Sequence, residues 1–179
     1  LGVAYIAMEL LEGTTLKTIL RDKAPMSFEE LIPIAIEVCK GLMAAHTAKI
    51  IHRDLKPDNI FLEALSDGRQ RVKLVDFGIA AMLDEERKED QKQRIGTLRY
   101  MAPEQCQGSA IDARADLYAL GVILYEGLTR RRATGKGVTD VLTEVPAIPN
   151  ALLTQSLQIP FGLEDVLLRL LAKLPHDRP

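Results

Sequence analysis

From Leu117 to Leu128 the side chains are apolar almost all round the helix that such a run would form. A helix without a polar stripe has no face to offer water, so other elements must wrap it on every side. The clearly apolar part, Leu117 to Tyr125, is too short to cross a bilayer, whose hydrocarbon core needs about 20 residues. The run therefore belongs at the centre of a water-soluble core. A chain of 179 residues is long enough to supply that core as one domain, or as the larger part of a two-lobed one.

The wrapping elements can be read from periodicity. Ser27 with Glu30 forms a capping-box pattern, and Leu31, Ile34, Ala35, Val38, Leu42 and Ala45 then share one helical face. Pro33 lies inside that pattern and removes a backbone donor, which predicts a kink or a later helix start. Leu16 to Arg21 suits a short helix. Leu163, Val166, Leu167, Leu170, Leu171 and Leu174 form a second amphipathic stripe. Strands are predicted at Val3–Met8, broken by Gly13, and at Ile60–Glu63 and Val72–Val75, joined by a turn around Ser66-Asp67-Gly68. Residues 133–160 are punctuated by Pro and Gly, and residues 84–94 are densely charged with no apolar anchor, which reads as a solvated loop.

Charge and cysteine content narrow the function. The net charge of −2 offers no general surface for nucleic acid or anionic membrane. Arg130, Arg131 and Arg132 read as a solvated helix end. Two cysteines, Cys39 and Cys106, make no disulfide framework and fit a reducing, cytoplasmic setting.

The chemistry concentrates in IHRDLKPDNIFL, residues 51–62, where Asp54, Lys56 and Asn59 stand on a tight loop between apolar runs. A carboxylate can orient a hydroxyl or take its proton. A lysine two residues on can neutralise charge on a transferring phosphoryl group, and an asparagine oxygen is a neutral ligand for a hard cation such as Mg²⁺. A further carboxylate, Asp76, follows at the end of a predicted strand, ahead of a glycine. These are the parts phosphoryl transfer needs. Asp58 reads as a turn or capping residue, His52 as a packed structural histidine, and His46 as structural or exposed.

HRDLKPDN (52–59), DFG (76–78) and APE (102–104), in that order, resemble the protein kinases. MELLEG (8–13) is similar to the hinge of that family, RADLYALGVILYE (114–126) to its central buried helix, and DRP (177–179) to its closing arginine motif. Lys56-Pro57 and Gly96-Thr97 resemble the Ser/Thr class, and the general style resembles bacterial kinases of the eukaryotic-like type.

The resemblance implies an α+β, mainly helical fold with short β-hairpins: residues 1–13 as last N-lobe strand and hinge, residues 14–179 as C-lobe. It implies Asp54 as catalytic base, Lys56 on the γ-phosphate, Asn59 and Asp76 on Mg²⁺, and Thr97 hydrogen-bonded to the catalytic loop. For ATP it implies Met8 as gatekeeper, the backbone of Glu9 and Leu11 on adenine, and Phe61 beneath the ring. Phe77 is implied to set the active or inactive state, Glu104 to pair with Arg178, and Asp116 to anchor the catalytic loop. The partner is a protein with a Ser or Thr acceptor.

The pattern is also incomplete. The chain has no glycine-rich phosphate loop and no strand lysine, parts the family places in an N-lobe. The expectation is a chain without that lobe, inactive by itself. Residues 130–137 depart from the family's turn, which puts the substrate-docking helix in question. A kinase-shaped scaffold is the alternative function, although a scaffold has no need of Asp54, Asn59 and Asp76; a small-molecule phosphotransferase fits the APE segment less well. Residues 79–95 hold no Ser, Thr or Tyr. One of Asp84, Glu85, Glu86, Glu89 and Asp90 is therefore expected to stand in for an activating phosphate opposite Arg53.

Overall fold

The all-apolar run is the middle of a helix, Arg114–Thr129, in which Ala115, Asp116 and every residue from Tyr118 to Leu128 are buried. In the computed structural model, which describes residues 7–65, 70–77, 98–144 and 162–179, the elements in chain order are β1 (Gly13–Thr15), α1 (Leu16–Lys23), α2 (Phe28–Thr47), β2 (Ile60–Ala64), β3 (Gln70–Leu74), α3 (Pro103–Cys106), α4 (Arg114–Thr129), α5 (Val138–Thr143) and α6 (Leu163–Leu170). The fold is mostly helical with one small sheet, as the α+β reading expects. α2 and α6 both pack on α4.

Two glycines set how closely they pack. A Cβ at Gly121 would sit 2.8 Å from the Cβ of Leu170 on α6, and one at Gly127 would sit 2.8 Å from Cδ2 of Leu31 on α2.

The helix starts follow local chemistry. Thr15 caps α1, its hydroxyl accepting from the Thr18 amide. At α2 the capping box forms as expected: Ser27 Oγ accepts from the Glu30 amide and Glu30 accepts from the Ser27 amide, each at 3.3 Å. The helix begins at Phe28, ahead of Pro33 rather than after it. Pro33 and Glu29, the residue four before it, are both exposed, so the lost hydrogen bond falls on the solvent side of the helix. Phe28, Leu31, Ile34, Ala35, Val38 and Leu42 form the buried face.

The sheet is antiparallel in the order β1-β2-β3, with Thr15 opposite Phe61 and Phe61 opposite Lys73. β1 corrects the reading of Gly13 as a strand breaker and makes a three-stranded sheet of the expected hairpin. Gly13 has φ +152°, and a Cβ there would lie 2.1 Å from the Leu62 carbonyl oxygen, so the close approach of β1 to β2 requires glycine. Of the expected strand Val3–Met8, residues 3–6 lie outside the described residues, and Ala7 and Met8 are not in a strand. The 66–68 turn and the charged segment 84–94 also lie outside them.

Arg178 closes the C-terminal part. Its guanidinium donates to Glu104 at 2.6 and 2.9 Å, and to the carbonyls of Ala172, Arg114 and Lys173. It also stacks 5.0 Å from the Tyr118 ring centre. The Leu163–Leu174 stripe is only partly helical. α6 ends at Leu170, and Leu174, extended ahead of Pro175, is left 54% exposed. A residue before proline avoids helical geometry. α5 lies within residues 133–160, where no element was read.

Gly121→Ala is expected to destabilise the fold by about 1–2 kcal/mol, the helix-propensity gain being outweighed by overpacking against a Cβ fixed to backbone. Gly127→Ala meets only the flexible ends of Leu31 and Leu20 and should be near neutral. Chemical denaturation of the two variants separates them; equal effects would contradict this account of the packing.

Candidate active site

Asp116 is 1% exposed at the start of α4. Its two oxygens accept the backbone N–H groups of His52 and Arg53, each at 2.9 Å. The Nε2 of His46 lies 2.7 Å from the same carboxylate. Arg53 adopts φ +63°, a left-handed conformation costing about 1–3 kcal/mol in a non-glycine residue. Its carbonyl is held as well, accepting from Gln105 Nε2 at 2.7 Å. Both sides of the strained residue are thus tied, one to α4 and one to α3.

That strained turn presents Asp54. Lys56 Nζ donates to Asp54 Oδ2 at 2.6 Å, and Asn59 Nδ2 donates to the Asp54 carbonyl at 2.9 Å. Asn59 is buried in a 3-10 turn, Pro57–Asn59. With Nδ2 engaged, Oδ1 is the atom that can ligate a hard cation. The Asn59 carbonyl accepts from the Val75 amide at 3.0 Å, which joins the loop to the residue just before Asp76. Asp76 is exposed, with φ +57°. The structure therefore gathers Asp54, Lys56 and Asn59 in one cluster and ties it to the chain segment bearing Asp76.

Among the described residues no group of three or more His, Cys, Asp or Glu side chains could hold a metal. One carboxylate and one amide oxygen fit a hard cation that takes its remaining ligands from phosphate and water.

The residues expected around adenine are more dispersed. Met8 is 68% exposed, while Leu11 is half-buried. Glu9 pairs with Lys73 at 2.7 Å, and Lys73 stands opposite Phe61. Glu9 and Phe61 are thereby brought to one part of the sheet. Thr97 lies outside the described residues.

His52 is fully buried. Its Nε2 lies 3.1 Å from the Val75 carbonyl and its ring centre 4.6 Å from that of Phe77. A carbonyl only accepts, so Nε2 carries the hydrogen, and Nδ1 is left buried without a partner. Burial pulls the imidazole below its usual 6.5, outweighing the opposing pull of Asp116 and Asp54.

The contacts of three residues escaped the sequence reading. His46 holds Asp116 and Gln105 holds the Arg53 carbonyl, pairings that only the fold reveals. The third is Glu126, buried in α4, which accepts from Arg99 Nε at 2.6 Å and from the Tyr100 hydroxyl at 3.0 Å. Burial raises the Glu126 carboxyl above its usual range, and with the Glu126 charge it pushes the Tyr100 phenol well above its own. An acid inside the otherwise apolar run 117–128 was the available signal.

The sequence model of the protein kinase domain matches residues 2–179. The chain belongs to the protein kinase family. It is 41% identical over 180 residues to the serine/threonine-protein kinase Pkn1 of Myxococcus xanthus, covering 97% of this chain and 25% of that one. It is 38% identical over 181 residues to the serine/threonine-protein kinase PknB of Mycobacterium tuberculosis, covering 97% and 28%. The chain thus spans about a quarter of the length of these relatives. Among solved structures, the kinase domain of Mycobacterium tuberculosis PknI superposes with a TM-score of 0.66 at 28% identity, covering 96% of this chain and 59% of that one. The kinship is with bacterial, eukaryotic-like serine/threonine kinases.

The depressed His52 value has a sign. The unfolded chain protonates this ring near 6.5 and the folded kinase only at lower pH, so below 6.5 the unfolded state binds more protons. Stability is therefore expected to fall as pH drops below 6.5, and to be free of this loss above it. His52→Gln keeps a donor for Val75 and should flatten that part of the profile at lower overall stability. Melting curves across this range check it; an unchanged slope in the variant would refute the assignment.

Proposed function

We propose that this chain carries the phosphoryl-transfer site of a serine/threonine protein kinase, moving the γ-phosphate of ATP to a Ser or Thr hydroxyl of a protein. One observation carries the reading: Asp54, Lys56 and Asn59 share a hydrogen-bonded cluster that the Val75 amide joins to the segment bearing Asp76. Asp54 orients the acceptor hydroxyl and takes its proton as the new O–P bond forms and the bond to the ADP leaving group breaks. Lys56, already paired with Asp54, turns its charge to the γ-phosphate. Asn59 Oδ1 and the Asp76 carboxylate hold Mg²⁺, which supplies charge neutralisation on the phosphate oxygens when bound.

The adenine end uses the backbone of Glu9 and Leu11, with Phe61 beneath the ring and Met8 bordering the pocket; the Glu9–Lys73 pair beside Phe61 supports that grouping. Thr97 bonds the catalytic loop in this reading. The activation-segment acids lie outside the described residues, so their proposed service in place of a phosphate rests on sequence. No helix among the described residues is long and apolar enough to cross a membrane.

Asp54→Asn in the full-length protein is expected to lower phosphoryl transfer by about 10²- to 10⁴-fold and leave MgATP affinity within a few-fold. Radiolabel transfer and calorimetric nucleotide binding measure the two effects. Undiminished transfer in the variant would remove Asp54 from its role.

A further inference from the structure

A cavity of about 600 Å³ adjoins the catalytic loop, with Lys56, Pro57 and Asp58 in its wall. Its cations are Lys17, Arg21, Lys56, Arg99, Arg130 and Arg132, against two acids, Asp58 and Glu126. Both acids are already engaged: Asp58 by Lys17, and Glu126 by Arg99 and Tyr100. Lys56 is paired with Asp54 and Arg21 with Asp22. Among the described residues, that leaves Arg130 and Arg132 without a contacting carboxylate. Arg132 is within electrostatic reach of Glu126, but the Glu126 oxygens are bonded elsewhere.

Arg130 stands out in a second way. It terminates α4 at φ +56°, a left-handed position where glycine or asparagine is the usual, unstrained choice. A cation near a helix C-terminus is favourable anyway. That accounts for some positive charge here, though not for a strained arginine lining a cavity whose wall includes Lys56, the partner of Asp54. Cavities lined by one sign of charge concentrate ligands of the opposite sign.

We propose that this cavity is a docking subsite for the anionic flank of the protein substrate: acidic side chains near the accepting Ser or Thr engage Arg130 and Arg132 while the hydroxyl reaches Asp54. This deepens the kinase reading and rests on it. The shared chemistry is a peptide anion, supplied either by Asp and Glu or by an already phosphorylated residue.

The test uses the full-length protein and matched acceptor peptides flanked by Asp, phosphoserine, Ala or Arg, in turnover and in direct binding by fluorescence anisotropy. The anionic peptides are expected to exceed the Ala peptide by about tenfold in kcat/KM and in affinity, less so at high salt. Arg130→Glu with Arg132→Glu should abolish or invert the order while turnover of the Ala peptide stays within about twofold. Arg130→Gly with Arg132→Gln removes the charge while relieving the strained φ, so it should fold at least as stably and lose the preference too. The ratio of Asp to phosphoserine peptide identifies the source of the anion. Equal use of all four peptides, a preference that survives both double variants, or equal binding of a single-stranded oligonucleotide would overturn the subsite. Anionic peptide binding that depends on Arg130 and Arg132, with no turnover of any peptide, would uphold the subsite and sink the transfer reading instead.

Discussion

A helix buried on every side can carry a carboxylate only where the charge is fully answered. α4 carries two, and each organises a different region. Asp116 holds the backbone of the loop that presents Asp54, and Glu126 holds Arg99 and Tyr100 at the wall of the basic cavity. Ten residues of helix separate the two, about 15 Å at 1.5 Å per residue. The chemistry and the place where a substrate would rest are therefore positioned from one rigid rod. Two left-handed arginines stand at the ends of that rod: Arg53, whose amide Asp116 holds, and Arg130, which terminates the helix.

Much of this was legible in the sequence, for identifiable reasons. α2 declared itself through Ser27, Glu30 and a clean apolar stripe, all local signals that the fold preserves. α4 was legible because an apolar surface on all sides admits only one kind of environment. The grouping of Asp54, Lys56 and Asn59 was legible because the three stand within six residues on one tight loop. β1 was missed because three residues carry almost no periodicity, and because Gly13 reads as a breaker until the Leu62 carbonyl beside it is seen. His46 and Gln105 were missed for a different reason. Their partners are 70 and 52 residues away, and nothing local distinguishes them from surface residues.

The last part of the chain shows how a local rule can override a longer pattern. The apolar stripe reaches Leu174, yet the helix stops at Leu170 as the chain turns toward Pro175. The turn then carries Arg178 into a buried cage of one carboxylate, three carbonyls and an aromatic ring. Every donor of the guanidinium faces an acceptor or a ring, which is the condition under which a buried arginine is tolerable.

The Asp116 arrangement also fixes how long the catalytic loop lasts. The amide hydrogens of His52 and Arg53 point at a carboxylate inside the core, not at a neighbouring strand that could fray. Their partner, Asp116, is 1% exposed on the buried helix α4. In most proteins a loop of this kind opens many times for each unfolding of the whole. Exchange at these two amides is therefore expected to be slow, in step with the core that holds Asp116 rather than with the surface loops around them.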